Sequence, residues 1–264
     1  MTPSVVPGVV PGFGTIDWSR PWLAPWRARG EALAARANER GLLVALNDSA
    51  SGVADLRLHA GRVRFIGHGE RPTGEAYEAF IARTACIPTR ENLHDFFNAL
   101  VWLEQPALKR RLNELQATQL TAARPGASRG AVRDALTLFD ENAALLHAPA
   151  ALLDALRRRD WQALFISQRG AWGQARLLVF GHALMGKLVR PRKAITAHVW
   201  CAERLGVDAT DRDVFGERLL ASLTAEHLAT KPFLPLPVLG VPGWWPANES
   251  PGFYADPEVF RPPR

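Results

Sequence analysis

Residues 91–103 read ENLHDFFNALVWL, a histidine, an aspartate and an asparagine set among large apolar side chains. At about 100° per residue on a helix, Glu91, His94, Asp95, Asn98 and Trp102 share one stripe. Leu93, Phe96, Phe97, Ala99, Leu100, Val101 and Leu103 cover most of the remaining surface. A surface helix normally shows the reverse, an apolar stripe on a polar cylinder. No Lys or Arg occurs between Arg90 and Lys109. The pattern predicts a helix buried on most of its circumference, its polar stripe turned to a cleft or an internal network. A histidine beside carboxylates can serve as a general base whose tautomer a neighbouring acid fixes. It can equally be one metal ligand in a set completed from elsewhere. A satisfied buried hydrogen-bond network is the alternative without chemistry.

Other stretches supply candidate partners. Phe180-Gly181-His182-Ala183 sets a second histidine in an apolar segment, followed by Lys187. Asp134 and the triplet Asp140-Glu141-Asn142 supply acids, and the triplet reads as a turn because Asp and Asn bond locally to backbone. His198 is a weaker candidate, and His59, His68, His147 and His227 receive no role. The leading functional expectation is a small hydrolase-like enzyme, acid–base or metal-assisted. His94 is then base or metal ligand, Asp95 its orienter or co-ligand, and Asn98 a hydrogen-bond donor to substrate. Asp140, Glu141 and His182 complete the cluster. This chemistry admits a divalent metal without requiring one, and it demands that His94 lie within side-chain reach of His182 or of the Asp140/Glu141 pair.

Several motif matches fail on context. Residues 126–130 satisfy GxSxG, but a nucleophile elbow needs an apolar strand before it, and here the chain is loop-like. His94-Asp95 resembles the pair of the HD phosphohydrolases, which need a further metal-binding histidine on an upstream helix. His68, between two glycines beside a strand, does not fit that place. No Walker A loop, GxGxxG or HExxH occurs.

The elements that must position these residues follow from periodicity and punctuation. Residues 1–27, rich in Pro and Trp, read as an arm whose Trp18 and Trp22 need cover on the body. Residues 28–40 form a helix stopped by Gly41, and 54–66 a β-hairpin around Ala60-Gly61. A short helix near 75–84 precedes the central helix, for which Thr89 is a plausible N-cap. Pro106 breaks the helical pattern, which resumes to about Gln116. Residues 134–147 read as two short strands around the DEN turn, 149–159 as an amphipathic helix, and 175–189 as a buried helix interrupted by Gly181 and Gly186. A last long helix spans about 211–229. From Pro232 the prolines exclude a helix, and the apolar residues between them predict a tail wrapped over the body. The fold expected is α+β, mainly helical, with short β-hairpins and an extended Pro/Trp-rich C-terminal wrap. It is read as a single globular domain over 1–264, comprising an N-terminal arm (1–27), a body (28–231) and the wrap (232–264).

Bulk properties narrow the setting. The chain of 264 residues can bury a substantial core, and no apolar run approaches the ~20 residues a membrane span needs. The proline-broken N-terminus lacks a basic n-region and makes a poor signal peptide. Two cysteines, Cys86 and Cys201, without CxxC spacing exclude a thiolate zinc cage and suit a reducing cytoplasm. The net charge is +6, and among 32 basic residues only four are lysines. Arginine suits phosphate recognition, so an alternative function is non-catalytic binding of RNA or another polyanion through Arg110, Arg111, residues 157–159 and residues 190–193. Those clusters are short and lack interleaved aromatics. A further alternative is a structural partner protein that docks through Trp18, Trp22, Trp244 and Trp245.

Taken together, PTRENLHDFFNALVW, DALTLFDEN, FGHAL and PGWWPANESPGFYADPEVFRP resemble one bacterial family, known as domain of unknown function family 3025. The resemblance covers roughly residues 60–262. It implies a cytoplasmic bacterial protein in which His94, Asp95, Asn98, Asp134, Asp140, Glu141 and His182 match the shared blocks, and it implies no activity. In one place the sequence departs from the family pattern, where a Glu commonly occupies the position held here by Gly186. A carboxylate used there would be missing from this protein.

Overall fold

The structure, a computed structural model, describes residues 12–122, 130–201 and 216–262. It is a mainly helical α+β fold. Two helices open it, α1 (Arg27–Arg40) and α2 (Leu42–Ser51), parted by Gly41, whose φ of 85° only glycine adopts freely. The predicted hairpin forms as β1 (Arg57–Leu58) against β2 (Gly61–Arg62). β3 (Arg64–Gly67) then pairs in parallel with β4 (Cys86–Thr89), across the helix α3 (Tyr77–Thr84). Residues 12–26 pack on the helices that follow. Phe13 stacks on Phe96 at 4.7 Å, and Trp18 lies against Gly30, where any Cβ would collide with its ring. Trp22 is 1% exposed and rests on Trp244, so these indoles pack on their own chain.

The central helix is α4 (Leu93–Glu104), and nine of its twelve residues are buried. Its N-cap is Asn92, not Thr89. Asn92 Oδ1 accepts from the Asp95 amide at 2.8 Å, whereas Thr89 ends β4. Glu91 also falls outside the helix, and its carboxylate accepts from Leu42 N at the start of α2. After a break at Gln105, α5 runs Pro106–Ala122, longer than its sequence pattern suggested.

Three expected elements need correction. Residues 134–142 are not a strand and a turn but most of α6 (Ala131–Asn142), which leads without a loop into β5 (Ala143–His147). Ala135, Leu136 and Phe139 are its buried residues, an i, i+1, i+4 spacing that belongs to a helix. Residues 175–189 are not one helix but β6 (Arg176–Val179), a hinge at Phe180-Gly181, and α8 (His182–Leu188), α7 being Ala150–Arg157. The long helix expected near 211–229 is two short ones, α9 (Glu217–Ser222) and α10 (Ala225–Ala229). Thr224, whose Oγ1 accepts from His227 N, restarts the second. Residues 211–215 lie outside the described residues, as does most of the GxSxG match.

The principal sheet has the order β6-β5-β7-β8, with β7 Thr196–Cys201 and β8 Phe233–Pro237. Only the β5–β7 pairing is parallel. The tail thus wraps, as expected, but its first segment is an edge strand, where prolines are tolerated because an outer N–H has no ladder partner to lose. Short 3-10 turns follow it, anchored by buried Asn248, which donates to Leu239 O and Val241 O at 2.7 Å each. Buried side chains from Phe13 to Phe260 form one connected cluster. Among the described residues no helix is long and apolar enough to cross a membrane.

Candidate functional site

α8 packs on both α4 and α6, and their ends bring the polar residues together. His94 stands in the first turn of α4, Asp140 and Glu141 in the last turn of α6, and His182 is the first residue of α8. Gly181 makes this approach feasible. A Cβ there would sit 2.5 Å from both Asn142 N and Glu141 O. Its amide, with that of Phe180, donates to Ala143 O. The backbone entering α8 therefore lies directly on the junction of α6 and β5, which sets His182 beside the two acids.

The histidines face each other nitrogen to nitrogen. His94 Nε2 and His182 Nε2 are 3.2 Å apart, their rings meeting edge to face. Glu141 Oε2 lies 3.4 Å from the same His182 nitrogen. The coordinating atoms of His94, Glu141 and His182 all fall within 4.8 Å of one another. Ligands on a tetrahedral zinc, bonded at about 2.0–2.1 Å, stand about 3.3 Å apart, so two of the three separations already match one coordination sphere. The third, between His94 and Glu141, is no more than 4.8 Å, and the Glu141 side chain is partly exposed. Behind His182, Asp140 Oδ2 lies 3.9 Å from Nδ1. That separation is longer than a hydrogen bond and Nδ1 has no acceptor, so the carboxylate acts on the imidazole through its charge.

Asp140 is itself fixed by Lys109, in the first turn of α5. Lys109 is 3% exposed, and its ammonium donates to Asp140 Oδ1 at 2.6 Å and to Asn98 Oδ1 at 2.8 Å. It also lies 5.3 Å from the centre of the Trp102 ring, within cation–π range. Asn98 passes the network on, its Nδ2 donating to the Tyr77 hydroxyl at 3.2 Å.

These contacts separate the titration behaviour of the groups. Burial pushes His182 down to about 3, against an opposing pull from Asp140, and so leaves it as the neutral imidazole that metals bind. Burial works to raise Asp140, but Lys109, His182 and His94 outweigh it and hold its carboxyl below the usual range. Glu141 is raised, first by burial and then by the negative charge of Asp140. Glu78, half-buried and bonded to Asn113 Nδ2 at 2.6 Å, is raised by desolvation despite the attraction of Lys109. Tyr77 is pushed well up by burial and then by Glu78.

The groups line one cavity of about 270 Å³ that also receives His68, Arg71 and Arg90. Of the residues expected from sequence, His94, Asp140, Glu141 and His182 come together. Asp95 and Asn98 line the same cavity but are otherwise engaged, Asp95 accepting from Arg90 N at 2.7 Å and Asn98 from Lys109. Asp134 sits in the first turn of α6, exposed and outside the cavity lining. His198 lies on β7, paired with Ala143 and Pro235. Sequence reasoning missed Lys109, Tyr77, Glu78, His68, Arg71 and Arg90. For Lys109 a signal existed, since a lysine kept in so arginine-rich a chain asks for a compact point charge. The others are brought in by β3, β4 and α3, whose pairing no local pattern discloses.

The family described as "Protein of unknown function (DUF3025)" matches residues 63–264, a span that holds every residue of this cavity. No curated protein and no solved structure matches the chain.

Proposed function

The chain belongs to the DUF3025 family of proteins of unknown function, and from that premise, which supplies no activity, we propose a small metal-assisted hydrolase. The observation that carries it is the convergence of His94, His182 and Glu141 on one point inside a cavity. Two imidazoles and one carboxylate are the ligand set of a catalytic zinc that keeps a fourth position for water. Held by His94, His182 and Glu141, a divalent cation would supply a bound water of lowered pKa and polarise the scissile group. The water oxygen bonds to the electrophilic atom, the ester bond breaks, and a water proton leaves with the departing oxygen. Glu78, on the cavity wall, is assigned as the carrier of that proton, a role that its place in the lining allows and that a carboxyl raised above its usual range favours. Asp140, held by Lys109, places a negative charge behind His182. The cytoplasmic setting, bacterial origin and single-domain organisation belong to the same reading, supported by a chain with only two cysteines and no CxxC spacing, and by the one connected core cluster.

The test is elemental analysis of zinc-loaded, dialysed protein alongside turnover of p-nitrophenyl esters and phosphates. One zinc per chain is expected, lost in His94→Ala, His182→Ala and Glu141→Ala. Glu78→Gln should keep the metal and lose about 10²–10⁴ in turnover, the usual contribution of a proton carrier. A wild-type protein that retains no divalent metal sinks the reading.

The polyanion alternative finds less support. Arg110 and Arg111 donate to backbone carbonyls of Asp55, Arg57 and Leu223, while Arg157 pairs with Asp154 and Lys193 with Asp256. An RNA affinity falling steeply with salt would restore it.

A further inference from the structure

The rim of the cavity carries an arrangement that the proposed hydrolysis does not use. Arg71 and Arg90 line it together with His68. Elsewhere the chain's arginines commonly meet acids, as in Arg29–Glu104, Arg40–Asp48 and Arg169–Glu249. At the rim the acids within reach are turned to other work. Glu75 gives both carboxylate oxygens to Arg83, at 2.9 and 3.0 Å, and offers Arg71 only its backbone carbonyl. Asp95 bonds the backbone amide of Arg90, not its guanidinium, which rests instead on His68 Nε2 at 2.7 Å. Among the described residues neither guanidinium has a carboxylate partner. The Nε of Arg71 is shielded from solvent and has no acceptor, and an unsatisfied donor of this kind is costly unless a ligand supplies the bond.

We propose that the cavity takes a small phosphate ester, whose phosphoryl oxygens are gripped by Arg71 and Arg90 beside the His94–Glu141–His182 centre. This rests on the hydrolase reading for its chemistry but on different residues for its recognition. The argument for phosphoryl is a count of oxygens. A carboxylate has two, and one guanidinium fork fills both. A phosphoryl group offers three, each with more than one lone pair, so two guanidinium groups and a metal ion can share them. The four acids facing the cavity do not defeat an anion. Asp140 is neutralised by Lys109, Glu141 would be neutralised by the cation it ligates, Glu78 is shifted toward its uncharged form, and the charge of Asp95 is set against Arg71 and Arg90 themselves. At about 270 Å³ the cavity falls just below the usual 300–1,000 Å³ of ligand pockets, so it encloses a small ester or the phosphoryl end of a larger one. The reaction is hydrolysis: water oxygen joins phosphorus, the phosphorus–oxygen ester bond breaks, and the alcohol leaves with a proton.

The experiment titrates inorganic phosphate, and acetate in a parallel arm, into zinc-loaded and EDTA-treated protein by calorimetry. The variants are Arg71→Ala, Arg90→Ala and Arg90→Lys, the last keeping the charge and losing the fork. Zinc content is measured in every sample. Phosphate binding about tenfold weaker in each alanine variant is expected, as loss of a charged hydrogen bond implies, with zinc unchanged and Arg90→Lys also weakened. Phosphate bound equally by wild type and variants overturns the proposal, and so does acetate binding as tightly as phosphate. Zinc retained without arginine dependence removes the phosphate rim and leaves the metal centre standing. Arginine-dependent phosphate binding in a protein that holds no zinc does the opposite.

Discussion

Lys109 is the residue on which the geometry of the cluster turns. Buried beneath α4, it neutralises Asp140 and caps the Asn98 amide oxygen. Removing one partner of a buried ion pair leaves the other charge without compensation, which typically costs ~3–5 kcal/mol. Lys109→Met should therefore lower unfolding stability in urea by about that amount. It should also loosen the hold on zinc, because Asp140 would no longer be fixed behind His182. A change below ~1 kcal/mol, the scale of an exposed pair, would show that the pair is solvated and does no positioning. Its rarity as a lysine in an arginine-rich chain marks this residue, but its neighbours mask the direction in which it points. Beside Arg110 and Arg111 it looks like part of a solvated basic run, and only the helical turn of α5 sends it inward while Arg110 reaches out to the carbonyls of Asp55 and Arg57. His94, by contrast, was legible, because a polar stripe on an oily helix is visible within one helix. Its partners were visible as residue types, but their distance from His94 was not. It spans 88 positions of chain to His182.

At the scale of elements, the junction of α6, β5 and α8 depends on one missing Cβ. Gly181→Ala would drive a methyl into Asn142 N and Glu141 O. Overpacking of this kind costs ~1–3 kcal/mol, and here the strain would separate His182 from Glu141, so zinc affinity should fall with stability. Gly186, one turn further along α8, is the control. A Cβ there meets nothing within 4 Å, and Gly186→Ala should raise stability by ~0.5–1 kcal/mol through helix propensity alone. Equal effects of the two substitutions on melting temperature would refute the close-packed junction. This junction was misread in sequence for physical reasons. The apolar spacing of residues 134–139 suits a short strand as well as a helix turn, and residues 175–189 are apolar throughout, so periodicity could not mark where strand gives way to helix. The helices α1, α3, α4 and α7 were easier, since each has polar flanks and a definite stop.

Across the whole molecule, the C-terminal wrap behaves as structure and not as an appendage. Asn248, 1% exposed, bonds two backbone carbonyls, and Arg169 reaches its side-chain oxygen and the Tyr254 hydroxyl. Asn248→Ala would leave those carbonyls buried and unmet, each at a cost of ~1–3 kcal/mol. The expected outcome is a lower melting temperature and faster proteolytic cutting after residue 240. Unchanged cutting would mean that the aromatic packing of Phe165, Tyr254 and Phe260 alone secures the tail. That the tail would wrap was evident from its prolines and unsheltered aromatics. That it would begin as a sheet strand was not, because proline is a poor strand residue except at an edge.

The placement of that strand has a consequence for how copies of this chain can meet. Pro235 and Pro237 remove two amide donors from β8, at one border of the sheet. At the other border the Trp26 indole donates to Val179 O, at the end of β6. Exposed borders with free donors and acceptors recruit foreign strands and seed fibrils. Here one border is short of hydrogens and the other already has a visitor. Crowding such molecules together should bring side-chain surfaces into contact, and not one continuous intermolecular ribbon.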